Sequence, residues 1–177
     1  ANRLEDYEHQ PAQSEIWAVD RADGTLTQLT DRLGPDVAPS YSPDGDLIAY
    51  IGYDDRKMGY HNASVYVMDA DGGNVTRLTT SPGYDGGSFW DATGEKITWR
   101  RFSEDGARAE VFTMNADGSD ERQLTDLGVM SWAPYFHPSG DYLIFSTNLQ
   151  GFANFELYLV DKAGAREPIR VSDRAGF

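Results

Sequence analysis

The chain is built from a repeated unit, and the period of that unit limits the folds open to it. Asp20, Asp69, Asn115 and Asp161 hold one position in four similar stretches. These are IWAVDRADGTLTQLT from Ile16, VYVMDADGGNVTRLT from Val65, VFTMNADGSDERQLT from Val111 and LYLVDKAGAREPIRVS from Leu157, spaced 49, 46 and 46 residues apart. A second stretch recurs three times ahead of them. Gly45, Gly94 and Gly140 each close a turn, with Tyr41, Trp90 and Phe136 four residues before and Tyr50, Trp99 and Phe145 five residues after. Self-similarity at such a period belongs to solenoids and propellers, whose units cannot bury an apolar face alone.

Local chemistry says what the unit is. IAYIG, VYVM and LIFS carry apolar side chains in both directions, as strands covered on two faces do. Asp-Gly pairs such as Asp23-Gly24 and Asp44-Gly45 tolerate the positive φ that tight hairpin turns need. The first complete unit reads as strands 38–42, 47–52, 64–69 and 74–79, with the excursion Asp54–Asn62 on a rim. In the second unit Asp91-Ala92-Thr93 replaces the Ser-Pro-Asp of the first, while Ile97 and Trp99 keep the period. The expected fold is all-β: a β-propeller of four-stranded antiparallel blades, about three and a half in this chain. Its parts are a half blade over 1–30, blades over 37–79, 86–125 and 132–172, and the approach to a further inner strand over 173–177. Residues 1–14 read as a connection without strand alternation. The recurring aromatics are expected to pack blade against blade.

Composition narrows the function. A net charge of −14 repels phosphate backbones and argues against nucleic acid as a partner. No cysteine is present, so neither a disulfide framework nor a thiolate metal site is available. No apolar run is long enough to cross a membrane as a helix. The chain opens at Ala1 without a charged and apolar leader, which is expected of a processed or excised segment.

Catalytic constellations are missing from the pattern. Gly86-Gly87-Ser88 runs into an inner strand and is no G-x-S-x-G elbow. His9, His61 and His137 form no i,i+4 pair suited to zinc, DADGGN lacks the spacing and distal glutamate of a calcium loop, and nothing calls for a cofactor. Ser88 to Trp99 only grazes a sialidase-type Asp box, and the sequons at Asn62 and Asn74 read as chance. The binding candidates lie where inner strands begin, at a channel mouth. Asp36, Asp85 and Ser131 share one repeat position there, with Arg100 and Arg101 ending a neighbouring strand. Such a mouth suits a cation or a basic peptide.

SPDGDLIAY followed by VYVMDADGGNVTRLT resembles the TolB-type propeller repeat over essentially the whole chain, as do GYDGGSFWDATGEKITWRR and WAPYFHPSGDYLIFSTN. NRLEDYEHQPAQSEIWAVD and AYIGYDDRKMGYHNASVYVMDADG are also similar to the propeller of acylaminoacyl-peptidases in the prolyl-oligopeptidase family. The first resemblance implies a non-catalytic, protein- or peptide-binding module, periplasmic or secreted. The second implies a propeller that gates a separate, cytoplasmic hydrolase domain carrying the catalytic serine. Three and a half blades leave apolar blade faces to be covered by a homodimer or other homo-oligomer, by further chain or by a partner domain.

Overall fold

The computed structural model describes residues 1–10 and 12–172. The expectation for 173–177 lies outside the described residues. β1 (Trp17–Val19) and β2 (Leu26–Gln28) pair as a two-stranded sheet. The first four-stranded blade holds β3 (Asp36–Tyr41), β4 (Leu47–Gly52), β5 (Ser64–Asp69) and β6 (Thr76–Arg77). The second holds β7 (Asp85–Trp90), β8 (Lys96–Phe102), β9 (Ala109–Asn115) and β10 (Arg122–Gln123). The third holds β11 (Ser131–Phe136), β12 (Tyr142–Thr147), β13 (Glu156–Asp161) and β14 (Ile169–Arg170). In each blade the strands lie in sequence order and are antiparallel, so every hairpin is local. No helix occurs among the described residues.

Turn residues explain the hairpins, though not as two-residue loops. Between β5 and β6 the Asp69 carbonyl accepts from Gly72 N–H while Asp69 N–H donates to the Gly73 carbonyl, and two residues of the connection have a positive φ, Gly72 (+90°) and Asn74 (+51°). A side chain at Gly72 would also strike the Leu29 backbone of the preceding sheet. The turn with the altered sequence keeps its geometry by exchanging roles. Ser42 Oγ donates to Asp44 Oδ1 (2.6 Å), whereas Thr93 Oγ1 donates back to Asp91 Oδ2 (2.7 Å). Donor and acceptor have swapped places across one turn, so the hairpin survives the loss of Ser-Pro-Asp.

The core lies between blades. Ala49, Ile51, Val65 and Val67 of the first meet Trp90, Ile97, Trp99 and Met114 of the second in one cluster. Val111 and Leu124 of the second meet Phe136, Phe145 and Val160 of the third in another. β4 is buried on both faces, whereas β12 alternates buried and half-buried because no further blade of the described chain covers its outer side. Tyr50, Trp99 and Phe145 are fully buried, as blade packing requires. Trp90 and Phe136 are buried too, and Trp90 Nε1 donates to the Ser40 carbonyl of the neighbouring inner strand (3.0 Å). Tyr41, at the same repeat position, is 56% exposed, since the β1–β2 sheet has no inner strand against which it can pack.

Candidate functional site

Contacts between blades run through the inner strands, β3 against β7 and β7 against β11, so these three line the axis. Each begins on a candidate residue. Asp36 N–H donates to the Ser14 carbonyl and Asp85 N–H to the Ala63 carbonyl (2.6 and 2.9 Å), tying each inner strand to the sheet before it. Asp36, Asp85 and Ser131 are all buried.

The Arg32 guanidinium pairs with Asp36 and lies over the Tyr66 ring, 4.0 Å from its centroid. Burial raises the Asp36 carboxyl above the ordinary aspartate value, and the Arg32 charge offsets this only in part. Asp85 accepts from Arg101 Nε at 2.7 Å, Arg101 Nη2 at 3.2 Å and Trp99 Nε1 at 3.0 Å. Arg101 continues to Glu121 at 2.6 and 3.2 Å. Burial opposes the Arg101 charge, yet the Glu121 and Asp85 carboxylates hold its pKa above the usual arginine value. Ser131 Oγ lies 3.3 Å from Thr147 Oγ1. The structure thus brings Asp85 and Arg101 together and leaves Arg100 apart, because neighbouring residues of a strand face opposite ways. The Arg100 guanidinium instead approaches the Tyr84 and Phe102 rings, at 5.9 and 6.0 Å.

The other ends of the inner strands are more open. A concavity of about 250 Å³ spans all three blades there, lined by Ser40 and Tyr41 of β3, Phe89 and Trp90 of β7, and Tyr135 and Phe136 of β11. Tyr135 is 55% exposed and meets Phe89 edge-on at 5.6 Å. One device aims these rings. Each inner strand shifts register midway, between Val37 and Ser40, Gly86 and Phe89, and Trp132 and Tyr135. At the shift sits a left-handed residue: Ala38 (φ 52°), Gly87 (65°) or Ala133 (48°). For the two alanines this conformation costs about 1–3 kcal/mol each, of the kind that persists where surrounding structure imposes it. Bulges re-aim side chains and cluster at the rims of closed sheets. Pro39 and Pro134, which have no N–H to donate, follow the alanines without loss, since the inner strand is an edge strand shifted in register at this point.

The sequence pattern placed Tyr41 among packing residues and did not single out Tyr135. The spacing of Ala38, Gly87 and Ala133 repeats the period of the blades, but only the backbone reveals the bulge. Among the described residues no helix is long and apolar enough to cross a membrane.

Known proteins share this architecture. The chain is 31% identical over 147 residues to a protein TolB homolog of Chlorobium luteolum, covering 83% of this chain and 31% of that protein. It is 24% identical over 170 residues to the uncharacterized peptidase YuxL of Bacillus subtilis, covering 77% of this chain and 25% of the relative. A solved TolB-type structure from Agrobacterium tumefaciens superposes with a TM-score of 0.72 at 27% identity, covering 88% of this chain and 55% of its own. The chain therefore spans a quarter to a third of the length of these curated relatives. The profile of the TolB β-propeller domain family, PD40, matches residues 2–176. With its four-stranded blades and that match over nearly its full length, the chain belongs to the TolB β-propeller domain family.

Proposed function

We propose that this chain is a non-catalytic propeller module that binds an extended protein or peptide segment along its inner strands. The observation that carries this reading is the aromatic concavity at the three bulges, where Tyr41, Phe89 and Tyr135 offer rings from three blades. Exposed aromatic rings with apolar bodies and polar tips are the side chains that interfaces favour. The buried Asp36, Asp85 and Ser131 support this site from the far end by fixing where each inner strand starts, and Arg100 remains a candidate contact at that mouth. The similarity to a TolB homolog supports the same reading, and with it a periplasmic or secreted location.

Selection of displayed random peptides against the purified chain tests the proposal. Binders are expected to lose at least about tenfold in affinity on Tyr135→Ala or Phe89→Ala, the scale of one interface aromatic. Binders indifferent to both substitutions, or turnover of peptide or ester substrates by the chain, overturn it.

The similarity to a peptidase favours one second reading, in which the propeller gates a hydrolase domain. That reading expects no stable peptide complex and a rise in peptidase activity when the inner-strand rings are removed from a protein carrying both domains. Under either reading the end faces need covering, since Val19 on β1 and Ile169 on β14 are 59% and 65% exposed. The chain by itself is expected to self-associate, and a monomer by light scattering would refute this.

A further inference from the structure

We propose a second binding site, for a small carboxylate ligand, on the rim of the first blade between β5, β6 and the loop 53–62. It is independent of the inner-strand reading. The argument comes from comparing the same two positions in all four sheets. One is the repeat position at or beside the start of the strand before the outer one: Glu15, just ahead of β1, Ser64 and Glu156, first in β5 and β13, and Glu110, second in β9. The other sits diagonally across on the outer strand, paired with the residue two further on: Gln28, Arg77, Gln123 and Arg170, opposite Trp17, Tyr66, Phe112 and Tyr158.

The outer-strand side chain has one pose throughout. Gln28 Nε2 donates to the Thr30 carbonyl, Arg77 Nε to Thr79, Gln123 Nε2 to Thr125 and Arg170 Nε to Ser172, each at 2.7 Å. From this anchor Arg170 Nη2 donates to Glu156 Oε1 at 2.7 Å, an arginine–carboxylate pair internal to the third blade. In the first blade the guanidinium is held the same way, but Ser64 stands where the other sheets have glutamate. Arg77 Nη2 reaches only the neutral Ser64 Oγ (2.9 Å), and among the described residues Arg77 has no carboxylate within ion-pair distance.

The threonine of the repeat points to the same chemistry. Thr30 Oγ1 donates to Glu15 Oε2 and Thr125 Oγ1 to Glu110 Oε2, both at 2.6 Å, while each also accepts a backbone N–H. Thr79 Oγ1 accepts the Val65 N–H in the same way (2.9 Å), with no glutamate to receive its proton. Arg77 and the buried Thr79 hydroxyl thus lack the carboxylate that stands at this position in the three other sheets, and a shorter residue leaves room for one from outside to reach Arg77. A cavity of about 230 Å³ opens there, lined by Arg77, Ser64, Arg56, Asn62, Tyr53 and Tyr60. Arg56 adds a second guanidinium with no ion-pair partner among the described residues. The one carboxylate on the lining, Asp54, lies 3.6 Å from Arg32 and is thereby partly neutralised. Tyr53 stacks flat on His61 (4.7 Å between centroids), making a ring wall beside the charged end. In a chain of net charge −14, this is a locally basic pocket shaped by the fold for a planar anion.

Titration of the chain with hippurate, galacturonate and inorganic phosphate, followed by arginine side-chain NMR signals, tests the site. The Arg77 Nε–H signal is expected to shift with one of the two carboxylates. A preference for hippurate identifies a peptide-like ligand, and a preference for galacturonate a sugar acid. Arg77→Gln, the side chain two other sheets already carry in the same pose, is expected to weaken binding at least tenfold. Ser64→Glu is expected to abolish it by supplying the carboxylate internally, with no fall in thermal midpoint. The proposal is overturned if neither carboxylate shifts Arg77 up to about 10 mM, a concentration at which even weak paired hydrogen bonds register. It is equally overturned if phosphate binds as well and survives Arg77→Gln, or if Ser64→Glu folds and binds as the parent does.

Discussion

Replacing Arg101 by methionine separates the structural work of the Asp85–Arg101 pair from its length and bulk. The Arg101 side chain is 9% exposed and that of Asp85 1%, while Glu121 at the far end is 35% exposed. Methionine keeps most of the apolar stem packed near Trp99 and Phe112 but strands the Asp85 carboxylate with the Trp99 indole as its remaining side-chain donor. Breaking a buried pair in this way costs about 3–5 kcal/mol, because the uncompensated charge stays buried. For a domain of this size that is a fall in melting temperature of roughly 6–20 °C. A second substitution, Asp85→Asn, removes the stranded charge and keeps an oxygen for Trp99 Nε1. It is therefore expected to restore about 2 kcal/mol or more in the Arg101→Met background, while costing stability in the parent. Urea unfolding with an unchanged denaturant slope reads both numbers. The reasoning fails if Arg101→Met lies within about 1 kcal/mol of the parent, or if Asp85→Asn does not rescue it. In either case the pair would not be what fixes the start of β7.

Trp90→Phe removes the indole bond to the Ser40 carbonyl across the first seam and some ring volume, and is expected to cost about 2 kcal/mol by urea midpoint. Gly83→Ala is expected to cost at least about 3 kcal/mol or prevent folding, measured by circular dichroism. Its φ is +102° and an added Cβ would overlap the Phe102 carbonyl oxygen. Asp36 supplies a pH test. Its folded pKa lies above the ordinary 3.8, so its contribution is fully present below 3.8 and is lost as pH rises through the folded value. Measured against Asp36→Asn, which does not titrate, the parent is expected to gain relative stability as pH falls toward that window. The exposed turn residues Asp44, Asp105 and Asp117 act oppositely in both proteins, because hydrogen bonds from Ser42, Ser103 and Ser119 lower their pKa values. A difference between the two proteins that is flat across the acid range would contradict the buried assignment of Asp36.

The sequence by itself determined the propeller. A spacing of 49, 46 and 46 residues, turn glycines at fixed offsets and strands apolar in both directions are local features, and local hairpins need nothing else to set strand order within a blade. The TolB family was legible for the same reason. Strand ends were less so: β6, β10 and β14 are two residues long because the outermost strand has one neighbour only, whereas side-chain alternation continues past the last ladder bond. Tertiary structure alone decided which repeat residues are buried and what they meet. Tyr41, Trp90 and Phe136 are equivalent in sequence, yet Tyr41 is open, since exposure depends on the sheet next door. Asp36 and Asp85 share a position and each found an arginine, one four residues before it and the other sixteen after, a pairing no spacing foretells. The left-handed bulges at Ala38 and Ala133, and the Arg77 side chain that faces a serine where its counterpart faces a glutamate, likewise exist only once strands distant in sequence are laid side by side. A period fixes what repeats along the chain, and packing across the seams fixes how each repeat differs from the next.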